Sequence, residues 1–487
     1  MQVKATVGID FGTRNTKLAY SVFGERYVEP IIFEHGLPSA YYPDYCLPSV
    51  ADFDDRGRLL LGVDAARRLA DESYDAGVRH IKMMLAGAYA DEFRDEDDWN
   101  RYQQQFRKRW VGKKVLRPDI LTAMYLFYAM QQARAVLTKK YPPQQHELEL
   151  EFRIGMPIHH LKMHEVRPAF EKVIAVTQKL DEEYGIRKVE CAAGFLQETV
   201  QRPFGRESHA KCELVSWEKM IEFAESLWPS AEYDEKADHT RAFFVPETMA
   251  QIASYRFSPA RKSGIHVMVD VGAGTTDVCV LNLRNVKTKW EVLDCYAWRN
   301  IPGAASQIER VVARYLHAAG EKPTPAAVLQ SIIHIKRGSR LGRSVKKEVC
   351  QLWHQAEPVY REGYEYGLRA ERMTMDDWCG DSVLVLLGGG GALIPFVHEQ
   401  FREAPICAQS GLEWGPYSVD NIPTPERHYP PESAAPPFGR MAVAYGLASH
   451  ELLKFDLTPP FDPPPQRPTR QCGEYDGDIL LPTSSWV

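Results

Sequence analysis

The chain has 487 residues, of which 44% are hydrophobic and 25% charged, enough for two apolar interiors and typical of neither a disordered nor a membrane-embedded chain. Lys and Arg number 59 against 65 Asp and Glu, a formal net charge of −6, which gives no electrostatic footprint for nucleic acid or an acidic membrane as partner. The nine cysteines are scattered, with no C-x-x-C pair, so neither a disulfide framework nor a thiolate zinc site is indicated. From Met1 the sequence passes through Lys4 almost directly into a strand, without an apolar signal core, and no later run is long enough for a membrane helix. A cytoplasmic setting is the expectation.

In chain order, VGIDFGTRNTKLAYSVF reads as a hairpin: strands at Val7–Asp10 and Lys17–Phe23 joined by a turn with Gly12, Thr13 and Asn15. The charged run YADEFRDEDDWNRYQQQFRKRW looks like an insertion with a solvated helical face. A helix is expected from Pro118 to Lys140, with Pro at its start and two lysines at its end, then a strand at Glu151–Pro157. The segment 203–238, rich in Trp and acidic residues, reads as a second insertion. His266–Asp270 and Asp277–Leu283 flank the turn VGAGTT and repeat the plan of the first hairpin: apolar strand, Asp, small turn with Gly and Thr, apolar strand. Ser382–Leu387 is a buried-type strand, followed by four glycines and an expected helix over ALIPFVHEQF. A helix near Arg440 and a proline-rich tail close the chain.

A nucleotide's phosphates need backbone N–H groups at close approach, which only small residues permit. Both turns offer this, with Gly12 in one and Gly272, Ala273 and Gly274 in the other. Thr13 and Thr275 add hydroxyl donors. Asp10 and Asp270 suit a hydrated Mg²⁺, since two facing anionic groups call for a cation between them. Either turn alone also reads as a plain hairpin; the repetition favours the ligand. No phosphate loop of the G-x-x-x-x-G-K-S/T type competes. His160 and His164 are four apart, but no third ligand is evident and they read as core or surface histidines.

These motifs resemble those of the actin and seventy-kilodalton heat-shock superfamily. DFGTRNT (Asp10–Thr16) is similar to its first phosphate motif, DVGAGTTD (Asp270–Asp277) to the second, and LGGGGALIP (Leu387–Pro395) to its adenosine motif. Pro246–Tyr255 and Arg440–Ala448 resemble the two segments that connect its lobes. Leu47–Arg68 and then Ile81–Gly87 resemble, in order, the strand, helix and lysine-bearing loop of the heat-shock chaperones, and bring the first lobe nearest to them. The resemblance spans nearly all of residues 3 to 450. It implies an α/β fold of two lobes, each ribonuclease-H-like, with ATP or ADP and Mg²⁺ in the cleft: lobe I over 1–257, with insertions near 88–115 and 203–240, lobe II over 258–455, and a tail over 456–487.

Carried over, the resemblance makes Lys82 the lysine that reaches the γ-phosphate and Glu247 the residue that positions the attacking water, with Asp10, Asp270 and Thr275 completing the catalytic set. Asp10 and Asp270 would hold the metal. Gly12, Thr13, Arg14, Asn15, Gly272, Ala273, Gly274, Thr275, Lys336, Arg337, Gly389, Gly390, Gly391 and Ala392 would line the nucleotide. Read without the resemblance, Lys82 is a solvent-facing lysine, Glu247 a helix N-terminal carboxylate, and Lys336 and Arg337 surface charges. The chain departs from the chaperones at Arg440, at the turn GGGGA, and at Ile333, where a glutamate is expected. The expectation is a chain without the peptide-binding module of a full chaperone. The expected function is an ATP-hydrolysing, chaperone-like switch acting on a separate partner protein. The alternatives are an actin-like filament former, which the glycine turn supports, and a small-molecule kinase of the same superfamily.

Overall fold

A computed structural model describes residues 2–38, 41–55, 57–74, 76–109, 116–157, 160, 163–184, 217–232, 242–256, 258, 261–262, 264–283, 292–370, 383–403, 418–425, 429–430, 436–449 and 456–458. The expectations for residues 203–216 and 233–238, and for the tail beyond Thr458, lie outside the described residues. The described residues are mixed α/β, with two large sheets and one small one. No helix among the described residues is long and apolar enough to cross a membrane.

Strands β1 (Gln2–Asp10) and β2 (Asn15–Val22) form an antiparallel hairpin, and β3 (Val28–Pro30) and β4 (Cys46–Pro48) both run antiparallel to β2. The small sheet holds β5 (Val50–Phe53), β6 (Leu59–Leu61) and β7 (Val78–Arg79), with α1 (Val63–Arg68) between the last two. Helices α2 (Ile81–Tyr89), α3 (Glu96–Arg109) and α4 (Pro118–Lys140) lead to β8 (Glu147–Met156), parallel to β1. After α5 (Val166–Tyr184) and α6 (Trp217–Leu227), β9 (Ala242–Pro246) lies parallel to β8 and runs straight into α7 (Glu247–Arg256).

The second half repeats this path. A hairpin of β10 (Gly264–Val271) and β11 (Thr275–Leu283) is extended by antiparallel β12 (Val292–Pro302). Helices α8 (Ala305–Ala318), α9 (Pro325–Ile333) and α10 (Arg340–Ala370) precede β13 (Leu384–Gly388), parallel to β10. Beyond α11 (Val397–Glu403), β14 (Ser418–Asn421) is parallel to β13; α12 (Phe438–Ala448) and β15 (Asp456–Thr458) follow. Five strands therefore take the order β3-β2-β1-β8-β9 in one sheet and β12-β11-β10-β13-β14 in the other. Each has two antiparallel pairings followed by two parallel ones. β1 is buried continuously from Ala5 to Asp10, as expected of a central strand covered on both faces.

Helix α12 returns from the end of the chain to pack on β1, β2, β8 and α7. Its approach is too close for side chains: a Cβ at Gly446 would lie 1.9 Å from the Ala250 carbonyl oxygen, and one at Gly8 would lie 2.3 Å from that of Ala444. The last carbonyls of α12 would otherwise be orphaned. Ser21 Oγ donates to Ala448 O at 2.6 Å, and the buried Arg153 donates from Nη1 to Ser449 O at 2.8 Å. A guanidinium at the negative end of the helix also suits its dipole. Apolar residues of α7 and α12, such as Ile252, Tyr255, Met441 and Tyr445, share one core with Ala19 of the first sheet and Met268 and Leu386 of the second. The helix pair thus lies between the two sheets.

Two local expectations are corrected. Lys82 stands in the first turn of α2 rather than in a loop. The glycines after β13 do not open directly into a helix: Gly390–Leu393 make a single 3-10 turn, and α11 begins only at Val397. Pro395 and the left-handed Phe396 (φ 78°) separate the two, because a proline ring clashes with the carbonyl of the preceding turn.

Candidate functional site

The turns β1–β2 and β10–β11 are held in the same way. A Cβ at Gly12 would lie 2.2 Å from Asn15 O, and one at Gly272 would lie 2.8 Å from Thr275 O, so each turn needs glycine at the same place. The carbonyls of both turns are tied down. Ser49 donates from Oγ to Gly12 O and from N to Arg14 O, both at 2.7 Å. The N–H groups of Gly303, Ala305 and Ser306, leading into α8, donate to Gly274 O (2.8 Å), Gly272 O (3.2 Å) and Ala273 O (2.8 Å). The N–H groups of Thr13, Arg14, Ala273 and Gly274 have no protein acceptor among the described residues, which leaves donors for a ligand.

The two turns touch. A Cβ at Gly274 would meet Thr13 Cγ2 at 2.7 Å and Met83 Cγ at 2.8 Å, so turn two sits against turn one and against the helix that carries Lys82. Around this junction the charged side chains converge. Lys17 pairs with Asp10, directly opposite it on the hairpin. Lys82 Nζ donates to Glu247 Oε1 at 2.6 Å, both side chains buried. Gly155 on β8 makes room for that glutamate, since a Cβ there would lie 2.8 Å from Glu247 Cγ. The Gln251 amide donates to Asp270, and Asn300 Nδ2 donates to Asp277 Oδ1 at 2.7 Å.

Burial and crowding show in the acidities. Burial pushes Asp270 up to about 7; Lys17 opposes this, while Asp10 and Glu247 add to it. Asp277 is pushed up to about 8 by burial and then by Glu247, against the hydrogen bond from Asn300. Glu247 is raised by burial despite Lys82 beside it. Four carboxylates thus share two ammonium groups, Lys17 and Lys82, and the cluster carries surplus negative charge once all are ionised.

The chain matches no known family model, and no curated protein is significantly similar to it. The site's geometry therefore has to carry the functional reading.

Other expected residues fall into three groups. Gly389 borders the cluster: with φ 79°, it has Asp270 Oδ1 2.1 Å from where a Cβ would be. Gly391 packs on Val271 in the same way, while Gly390 faces open space and Ala392 is buried in the same turn. Asn15, beside turn one, has a buried Oδ1 without a protein partner. Arg14 is committed elsewhere, with its guanidinium ion-paired to Glu309 of α8, which also receives the Tyr74 hydroxyl. Lys336 and Arg337 are exposed just before α10, and Arg337 Nη1 lies 3.2 Å from Glu399 of α11.

Lys17, Asp277, Gln251 and Asn300 belong to the cluster and were not singled out from sequence. Extending the first hairpin motif by one residue, to the position opposite its aspartate, would have found Lys17, and Asp277 already stands at that position in the second. A pocket of about 1200 Å³ is lined by residues including Tyr74, His80, Met84, Gln307, Arg310 and His354, and by none of the residues of the turns or the charged cluster. His80 caps α2 in a left-handed conformation, φ 60°, the kind of strain that functional sites store.

Proposed function

We propose that this protein binds and hydrolyses ATP with Mg²⁺ at the junction of the two turns, as a two-lobed molecule of the actin-like fold. The observation that carries the reading is the contact of two matched glycine turns beside one cluster of four carboxylates and two lysines. The repeated strand order of the two sheets and the resemblance of the motifs support it.

The free N–H groups of Thr13, Arg14, Ala273 and Gly274, with the hydroxyls of Thr13 and Thr275, would cradle the phosphates. The donor set fits Mg²⁺, because the carboxylates outnumber the lysines. Among the described residues no group of three or more His, Cys, Asp or Glu could hold a metal, so Asp10 and Asp270 would reach it together with water and phosphate oxygens. The metal's contribution would be to offset charge on the transferring phosphoryl group. Lys82 spends its charge on Glu247 at 2.6 Å. A γ-phosphate arriving there competes for the ammonium and releases the glutamate to orient water, so binding itself prepares the base. Gly389–Ala392 would border the adenosine, with Lys336 and Arg337 further out.

Because both turns grip one phosphate chain, ATP favours the arrangement in which they touch, and hydrolysis relaxes it. The protein would then act as a switch on a separate partner protein. The test is ATP binding and phosphate release by purified protein and variants: Asp10→Asn, Asp270→Asn and Lys82→Ala abolish turnover, and Glu247→Ala slows it with binding retained. Undiminished release from these variants overturns the reading. A second reading, phosphate transfer to a small acceptor, would seat the acceptor in the pocket of about 1200 Å³, which is lined by His80 and Met84 on either side of Lys82 in sequence but by none of the cluster's own residues. Turnover that appears only when hydroxyl compounds are supplied would establish it, and an ATP-dependent pellet on sedimentation would establish a filament.

A further inference from the structure

The walls of the pocket of about 1200 Å³ come from opposite halves of the chain: residues 73–84 and α3 on one side, α8, Pro323 and α10 on the other. That volume suits a metabolite rather than a single ion. The character of the cavity is set by Arg79 of β7. Its Nε donates to Ala76 O at 3.1 Å and its Nη1 to the Tyr42 hydroxyl at 3.2 Å, and its guanidinium lies over the Tyr74 ring at 5.8 Å. None of these partners is a carboxylate, and Nη2 is buried with no hydrogen-bond partner among the described residues. A buried donor of this kind calls for an acceptor, and a guanidinium withdrawn from water calls for a counter-charge. Arg310 of α8 has one in Asp95, and that ion pair ties the two walls together. Arg314, one turn further along α8, is exposed and engages only the Arg310 carbonyl, from Nε at 3.3 Å. The other carboxylates of the lining, Asp97 and Glu348, make no ion pair with Arg79 or Arg314 among the described residues.

We propose that this cavity is a second ligand site, and that its ligand is a small organic oxyanion: a carboxylate or phosphate group on a polar body. Arg79 is the fixed end of the recognition, because a guanidinium already held at two points presents its remaining N–H groups in a set direction. Arg314, on the wall contributed by the second half of the chain, adds a second positive group. The side-chain amides of Asn100, Gln307 and Gln351 also line the cavity and can answer hydroxyls on the body of the ligand. Asp97 and Glu348 would repel a polyanion, which limits the ligand to one or two charges. A ligand that touches both walls favours the arrangement in which Arg310 meets Asp95, so it acts on the same closure from a different place. The inference needs no nucleotide and stands independently of the ATP reading.

The test titrates the full chain, without nucleotide or Mg²⁺ and at constant ionic strength, with malate, glycerol 3-phosphate and uncharged glycerol, read by calorimetry and by thermal shift. At least one of the two anions is expected to bind one-to-one with a Kd of about 1 mM or tighter and to raise the melting temperature, while glycerol does neither. Which anion binds tells a carboxylate ligand from a phosphomonoester. Arg79→Lys, which keeps the charge and loses the planar fork, and Arg314→Gln, at an exposed position that folding does not need, each weaken binding by about tenfold or more, the scale of one charge-assisted hydrogen bond. Three results overturn the inference: neither anion saturating the wild type, glycerol binding as well as the anions, or both variants staying within twofold of wild-type affinity, which would put the anion elsewhere. Binding that appears only when ATP and Mg²⁺ are present also overturns it and returns the cavity to a phosphate acceptor.

Discussion

Replacing Asp277 by Asn should stabilise the protein at alkaline pH. The folded Asp277 carboxyl keeps its proton up to about 8, against an ordinary value of 3.8. Between those values the folded state holds a proton that the unfolded state has released, so stability falls as pH rises through that window and is flat above it. Asp270, raised to about 7, contributes with the same sign over a narrower window. At about 1.4 kcal/mol per tenfold, the Asp277 gap corresponds to at most roughly 6 kcal/mol. The side chain retains some solvent exposure and its neighbours can relax, so about 2 kcal/mol is the reasonable expectation. Asparagine removes the charge but keeps an oxygen to accept from Asn300 Nδ2, now at 2.7 Å. Thermal unfolding of both proteins, without nucleotide or metal, at pH 6 and pH 9 reads the effect. A difference of about 2 kcal/mol is roughly 4–8 °C for a cooperative unit of about 200 residues. The variant should lead at pH 9, with the lead about halved at pH 6 and gone only near the ordinary carboxylate value of 3.8. A variant no more stable than wild type at pH 9 would refute the account of crowded carboxylates.

The Lys82–Glu247 pair gives a second prediction. Lys82→Met alone should cost about 3 kcal/mol by stranding a buried carboxylate, and adding Glu247→Gln should recover much of that in chemical denaturation while leaving turnover lost. Gly389→Ala would drive a Cβ to within 2.1 Å of Asp270 Oδ1 at a φ of 79°; ATP affinity should fall at least about tenfold with the melting temperature lowered by strain of ~1–3 kcal/mol. Gly446→Val would force α7 and α12 apart and should give protein that fails to fold or melts well below wild type by circular dichroism. Arg153→Met removes the cap on α12 and should cost about 1–3 kcal/mol, the penalty of buried carbonyls left unpaired.

The hairpins were legible because their information is local. An apolar run, an Asp and a Gly-Thr turn lie within a dozen or so residues, and both turned out as antiparallel pairs with glycine where backbone meets backbone. The long α4 was marked by its own ends, Pro118 and the lysines 139 and 140. What escaped depends on register or on distance along the chain. Lys17 meets Asp10 only because the strands pair in one register. Asn300 reaches Asp277 from 23 residues away and Lys82 reaches Glu247 from 165. Arg14, expected to line a ligand, found a stronger partner in Glu309, which nothing near residue 14 announces. The helix expected after the glycines failed on one residue, Pro395, whose ring outweighed the apolar pattern around it.

The docking of α12 onto β1 has a consequence for how the chain is made. Gly8 is synthesised more than four hundred residues ahead of Ala444 and Leu447 and must wait for them before its neighbours are covered. At ~5–20 residues per second, that wait is roughly 20–90 s. During it the opening sheet presents an uncovered apolar face, the circumstance in which a nascent polypeptide aggregates or is captured by holding factors. Fragments cut short of Phe438 should share that fate permanently, and fusing a spare copy of residues 436–449 to such a fragment is the direct way to see whether this one helix relieves it.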